Sequence, residues 1–247
     1  MTAWAAFCLR LGDNDLILSQ RLAEWCGRGP VLEEDLALTN VALDLLGQAR
    51  LWLSLTGELE SEAGGLPRSE DDLAFHRDAG AFRNLLLVEQ PNGDYAHTTT
   101  RQFFYDAWHL PLLEALATHS PERVAAIAAK AAREAAYHLR RSRDWVIRLG
   151  DGTAESRARM QAAVQALWPY TGEMFASDAV DEQCVDLAAL RSRWQTEIET
   201  TLRLATLELP RDAWMQKGGK QGVHTEYLGH LLATMQVLPR AYPGAQW

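Results

Sequence analysis

Two polar pairs interrupt otherwise apolar helical sequence. Asp106 stands with His109 in RQFFYDAWHLPLL, and Glu134 stands with His138 in AAREAAYHLRRS. Residues three or four apart share one helix face, so each pair projects a carboxylate and an imidazole from one spot. Helical bundles build di-iron carboxylate centres from such parts, taking a Glu from each of two helices and a Glu-x-x-His from each of the other two. The chemistry on offer is therefore that of a di-iron carboxylate site, but only half of the ligand set is present. An acidic residue three places before a histidine occurs only at Asp94-x-x-His97 and Asp106-x-x-His109. The first lies beside a turn and reads as a helix cap. The matching ligands should come from the two N-terminal helices, yet the second of these offers Asp44 and no histidine, and the first has no histidine. A buried carboxylate–histidine pair also serves as a hydrogen-bonded structural network, which is the plainer reading of both pairs.

Other polar residues in apolar surroundings offer less. Arg10, Arg21 and Arg50 interrupt the N-terminal helices; most such arginines snorkel to solvent, but one of them could compensate Asp106 or Glu134 without metal. KGGKQG carries Lys217 and Lys220 and could hold a phosphate. It lacks the spacing of a phosphate-binding loop and follows no strand, so it reads as a surface loop. No serine-hydrolase or cysteine-nucleophile pattern occurs. The three cysteines, Cys8, Cys26 and Cys184, have no C-x-x-C spacing and are expected to be reduced and mostly buried. Nine tryptophans are many; Trp4, Trp214 and Trp247 would suit a protein interface, and core packing accounts for most of the rest.

The elements that must position these groups are helices. Ala, Leu, Arg, Glu and Gln dominate, Val, Ile and Thr are scarce, and the chain is 47% hydrophobic and 23% charged over 247 residues. Periodicity predicts helices over about 3–26, 33–60, from 69, 95–118, 121–149, from Asp151 or Thr153 to 171, 186–206 and 224–238. The second should be central to the core, being apolar almost all round. Ser69 and Asp186 are expected N-caps, and Ser120 is expected to cap the fifth helix with Pro121 at its first position. Gln90–Asp94 is a turn by its chemistry. The expectation is one all-α domain over residues 1–247. The net charge of −9 argues against nucleic acid or an anionic membrane as partner, and no spanning or secretory segment is apparent, so a cytoplasmic protein is expected.

LRLGDNDLILSQRLAEWCG, DLALTNVALDLLGQARLWL, NLLLVEQPNGDYAHT, RQFFYDAWH, AYHLRRSRDW and GGKQGVHTEYLG, in that order and spacing, resemble the C subunits of bacterial ring-1,2-phenylacetyl-CoA epoxidases. The resemblance covers essentially the whole chain. It implies a ferritin-like bundle with additional C-terminal helices and a role in aerobic phenylacetate breakdown. In that family the complex epoxidises the ring of phenylacetyl-CoA with dioxygen. Electrons come from NADPH through a separate reductase subunit, the di-iron centre belongs to the A subunit, and the C subunit is its metal-free partner. Against the distantly similar catalytic subunit, a Glu-Ala-Gly-His falls on Leu45–Gln48, so both ligands are lost. A Glu-x-x-His falls on Ala135–His138, so only the histidine remains. Its third-helix Asp falls on Asp106, and its first-helix Glu falls near Arg21. The resemblance thus implies relic positions at Leu45, Gln48, Asp106, Ala135 and His138 and no metal or catalytic residue of this chain's own. Arg21 with Asp106 would be a substitute ion pair, with Glu134 nearby. The expected function is a structural subunit that binds and stabilises the A subunit, together with other subunits of the complex. The alternatives are a di-iron oxygenase with unusual ligands Asp106, Glu134 and His138, and an acyl-CoA-binding module using Lys217 and Lys220.

Overall fold

Thr2 opens the first helix: its hydroxyl accepts from Ala5 N at 3.2 Å, satisfying one of the orphan donors at the helix start. The computed structural model describes residues 1–211 and 214–245, and among these it contains eleven α-helices, short 3-10 turns and no strand. The chain divides into two helical units, Met1–Gln90 with the segment from Gly218 onward, and Pro91–Lys217.

In the first unit α1 (Ala3–Ala23) packs along α2 (Leu32–Glu62). Almost all of α1 is buried, including three successive polar residues at its middle, Asp13, Asn14 and Asp15. Ser69 opens α3 (Glu70–Phe75) with a reciprocal capping box: its hydroxyl accepts from Asp72 N, and the Asp72 carboxylate accepts from Ser69 N at 2.9 Å. The single turn α4 (Leu86–Glu89) is wholly buried.

The second unit is built on α5 (Tyr95–His119) and α6 (Glu122–Gly150). Asp94 caps α5 by accepting from His97 N at 2.9 Å, so the Asp94/His97 pair is the cap that its sequence suggests. α6 is amphipathic, and its buried seam of Val124, Ala128, Ala131, Ala135, His138, Ser142, Val146 and Gly150 recurs every three or four residues. Its small side chains let the helix lie close to α5. Thr153 caps α7 (Ala154–Leu167), and after the short α8 (Asp181–Cys184), Asp186 caps α9 (Leu187–Leu204). Trp194 on α9 donates its indole N–H to Phe104 O at 3.0 Å and packs its ring among Phe104, Trp168 and Phe175. Back in the first unit, α10 (Glu226–Met235) and α11 (Val237–Ala241) finish the described chain.

Several expectations change. Pro121, not Ser120, occupies the N-cap of α6, and Ser120 instead ends α5. The helix expected to run from Asp151 or Thr153 to about 171 is capped by Thr153 and stops at Leu167, and a 3-10 turn over Trp168–Tyr170 follows because Pro169 lacks an N–H donor. α2 is buried on one side only: Leu32, Leu36, Leu43 and Leu46 are exposed. Of the cysteines, none in a disulfide, only Cys8 is buried; Cys26 is exposed. Arg50 does reach solvent, but Arg10 and Arg21 are buried. Trp214 is exposed and Trp4 half-buried, while Trp247 lies outside the described residues. No described helix is long and apolar enough to cross a membrane.

Candidate functional site

Asp106 and His138 come together inside the second unit. Asp106 sits on α5 and is 1% exposed; His138 and Ser142 lie one turn apart on the buried seam of α6. Ser142 Oγ donates to Asp106 Oδ2 at 2.7 Å, and Gln102 Nε2 donates to Oδ1 at 2.7 Å. Both carboxylate oxygens are thereby engaged by neutral groups. Burial pushes the Asp106 carboxyl up to about 6, against the opposing pull of the His138 charge and the two hydrogen bonds. His109, fully buried one turn along α5, lies with its ring tilted against that of Tyr105, centroids 4.8 Å apart. Burial first, and the His138 charge second, push its imidazole down to about 3, so it is neutral in the folded protein. Glu134 is half-buried on α6, and Ala135 is buried in the seam with no donor atom to offer.

In the first unit Leu45 and Gln48 are buried on α2. Arg21 is held by backbone oxygens. Its Nε and Nη2 donate to Glu89 O at 3.1 and 2.8 Å, Nη2 also reaches Tyr227 O, and Nη1 pairs with Glu24. Arg21 and Asp106 thus each take hydrogen-bond partners from their own unit. Among the described residues no three His, Cys, Asp or Glu side chains group as a metal site. Lys217 is exposed, whereas Lys220 is buried in a 3-10 turn, Gly219–Gln221, so KGGKQG is only in part a surface loop. Gly219 lies so close to Asn84 that a Cβ there would fall 2.1 Å from its carbonyl oxygen. A loop clamped in this way does not present Lys220 to a phosphate in solvent.

The densest polar chemistry of the first unit is one that the sequence does not announce. Glu89, 0% exposed, accepts from His224 Nδ1 at 2.8 Å, from Thr225 N at 2.7 Å and Thr225 Oγ1 at 2.8 Å, and from Asn84 Nδ2 at 2.8 Å. His224 Nε2 lies 3.0 Å from Phe82 O. Nearby, Arg77 forks onto the buried Asp13 carboxylate, whose Oδ2 also accepts from Arg83 N at 2.8 Å. Asn14 Oδ1 accepts from Leu85 N at 2.7 Å. The signal lies in LLLVEQPNGD and HTEYLG, where a carboxylate and an imidazole interrupt apolar runs far apart in the chain. Each of these groups ties one segment to another.

Comparison with known proteins places the chain in a family. A family model described as phenylacetic acid catabolic protein matches residues 1–247. The chain is 51% identical to the C subunit of the 1,2-phenylacetyl-CoA epoxidase of Escherichia coli (strain K12), over 253 residues that take in all of both chains. The chain therefore belongs to the phenylacetic acid catabolic protein family, and its all-α architecture is the ferritin-like one that the sequence leads one to expect.

Proposed function

We propose that this member of the phenylacetic acid catabolic protein family is a non-catalytic subunit of a phenylacetyl-CoA epoxidase, working in the cytoplasm. It binds and stabilises the catalytic A subunit, which holds the di-iron centre and receives electrons from NADPH through a reductase. The observation that carries this reading is the state of Asp106. Its two oxygens accept from Ser142 and Gln102, and among the described residues no three His, Cys, Asp or Glu side chains group around it to hold a metal. Leu45, Gln48 and Ala135, at the other relic positions, supply neither carboxylate nor imidazole. Removing anionic charge and ligand number together leaves a donor set that does not fit iron. What remains is a folded helical body whose use is to be bound. An obligate helix–helix interface of this kind buries roughly 2,000 Å² or more.

The first experiment is iron per chain after anaerobic loading of the isolated protein with ferrous iron and desalting. The expected result is near zero. Two irons per chain would overturn the reading in favour of a di-iron oxygenase using Asp106, Glu134 and His138. The companion experiment expresses the A subunit with and without this chain; lower solubility or activity of A alone is expected, and full activity of A alone would count against the proposal. The reading also takes residues 1–247 as one ferritin-like domain. A single unfolding transition, coincident by far-UV and near-UV circular dichroism, is expected.

A further inference from the structure

The outer face of α6 is basic in a protein that is acidic as a whole. The helix carries seven Lys and Arg against three Asp and Glu, in a chain whose net charge is −9. Lys130, Arg133, Tyr137, Arg140 and Arg148 are exposed, and spacings of three, four, three and eight residues set them on one stripe opposite the buried seam. At about 1.5 Å of rise per residue the stripe runs about 27 Å along the helix. The Arg140 guanidinium lies 5.7 Å from the centre of the Tyr137 ring, and that of Arg148 lies 5.6 Å from the Trp145 ring. Among the described residues these four cations have no carboxylate partner. Asp144, the carboxylate between Arg140 and Arg148, pairs instead with Arg143 at 3.9 Å. Glu134, at the flank of the stripe, is half-buried and has a partner elsewhere, and Glu122 stands more than two turns before Lys130.

The residues that could have neutralised the stripe locally are alanines. An exposed helix gains most from a glutamate four residues before a Lys or Arg. Those places belong to Ala126 before Lys130, Ala129 before Arg133 and Ala136 before Arg140, and all three alanines are exposed. Alanine also keeps the surface low, so that another helix can approach the backbone between the cations. Arg and Tyr are the side chains that most often carry binding energy at interfaces. Charge then decides the occupant. A second copy laid stripe to stripe would oppose cations to cations, which is strongly unfavourable at an interface. A phosphate ligand needs cations that converge on one point, and these are strung along an open helix face. Nucleic acid is opposed by the charge of the rest of the chain. The stripe suits a different protein chain whose surface offers a row of carboxylates.

We propose that the Lys130–Arg133–Tyr137–Arg140–Arg148 stripe of α6 is the docking surface for a fellow subunit of the epoxidase, which lays an acidic helix along it. The inference rests on the subunit reading above and adds the face and the partner's chemistry. The guanidinium groups meet the partner's carboxylates, Tyr137 packs at the middle of the contact, and the alanines let the two helices lie close.

The test co-expresses the full chain with the other epoxidase subunits and follows co-elution by size exclusion over a dilution series. Arg133→Glu/Arg140→Glu should keep the wild-type circular dichroism, because both side chains already meet solvent and Glu is as good a helix former as Arg. It should weaken the association by about 100-fold or more, since like charges would then face each other across the contact. Should the reversed variant fail to fold, Arg133→Gln/Arg140→Gln removes the charge with less disturbance, and its association should respond less to added salt than that of wild type. A wild-type chain that co-elutes with no other subunit overturns the subunit reading itself. A folded variant that co-elutes like wild type overturns the face alone. A wild-type homodimer, or bound nucleic acid, that the variant abolishes overturns the choice of occupant.

Discussion

Ser142 on α6 holds Asp106 on α5 through a 2.7 Å hydrogen bond from its hydroxyl to Oδ2. With Gln102 on the other oxygen, the carboxylate is solvated by the protein as an ordinary buried polar group. Burial pushes the carboxyl up to about 6, although the His138 charge, the two hydrogen bonds and the Arg141 charge pull the other way.

Asp106→Asn is expected to stabilise the protein at neutral pH. The folded group binds its proton up to about 6, whereas the unfolded one releases it near 3.8, so folding is penalised as pH rises through this window. The full penalty, present above pH 6, is roughly 3 kcal/mol at most. Urea unfolding at pH 4 should show little difference between variant and wild type, and at pH 7 the variant should be the more stable. A loss of stability at pH 7 equal to that at pH 4 would show that the carboxylate is compensated better than this account allows.

Glu89 and His224 make the opposite kind of pair. Both ring nitrogens of His224 face acceptors, Glu89 Oε2 and Phe82 O, and only the doubly protonated ring can donate to both. Burial pulls this imidazole down, but the Glu89 hydrogen bond and charge, with the Phe82 carbonyl, carry it above its ordinary value. A raised histidine contributes stability that is complete below its unfolded value of 6.5 and is lost as pH rises through the folded one. The His224 Cε1 proton should titrate by NMR above 6.5 in wild type and at a lower pH in Glu89→Gln. Equal titration in both would dissolve the pair.

The sequence exposes what is local and hides what is not. Ser69, Asp94 and Asp186 are legible as caps because the side-chain oxygen and the backbone N–H it meets lie within three residues. Asp106 and His138 stand out as polar groups in apolar helices. Ser142 and Gln102 do not, since a neutral serine or glutamine in a helix carries no signal until its neighbour is known. Glu89 and His224 are separated by 135 residues, and only tertiary structure joins them. The bare face of α2 escapes the sequence for a related reason: an all-round apolar helix looks central whether or not its own chain covers its second face.

Asp13 and Arg77 should be the most damaging pair to split. Both are buried, the guanidinium also donates to Ala81 O at 3.0 Å, and it lies 4.2 Å from the centre of the Phe82 ring. Asp13→Asn leaves a buried cation without its anion and is expected to cost roughly 3–5 kcal/mol. Removing both charges, in Asp13→Asn/Arg77→Met, should cost less than the two single substitutions summed. A double-mutant cycle by denaturant unfolding measures this directly, and additive losses would show that the two charges do not depend on each other.

Two glycines of α2 give matched substitutions with opposite outcomes. Alanine is favoured over glycine in a helix interior by roughly 1 kcal/mol, so on propensity alone both Gly47→Ala and Gly57→Ala should stabilise. At Gly47 nothing lies within 4 Å, and a gain of roughly 0.5–1 kcal/mol is expected. At Gly57 the new Cβ would fall 2.0 Å from the carbonyl oxygen of Arg68. That backbone cannot easily retreat, because the Arg68 guanidinium is forked onto Glu60 of the same helix at 2.6 to 3.0 Å. Overpacking of this kind costs roughly 1–3 kcal/mol, which outweighs the gain in propensity, and the stretched Arg68–Glu60 pair adds to it. Thermal unfolding of the two variants should therefore move in opposite directions. Equal stabilisation of both would mean that the segment crossing α2 at Gly57 is free to shift, and the close approach would then have no part in holding α3 against α2.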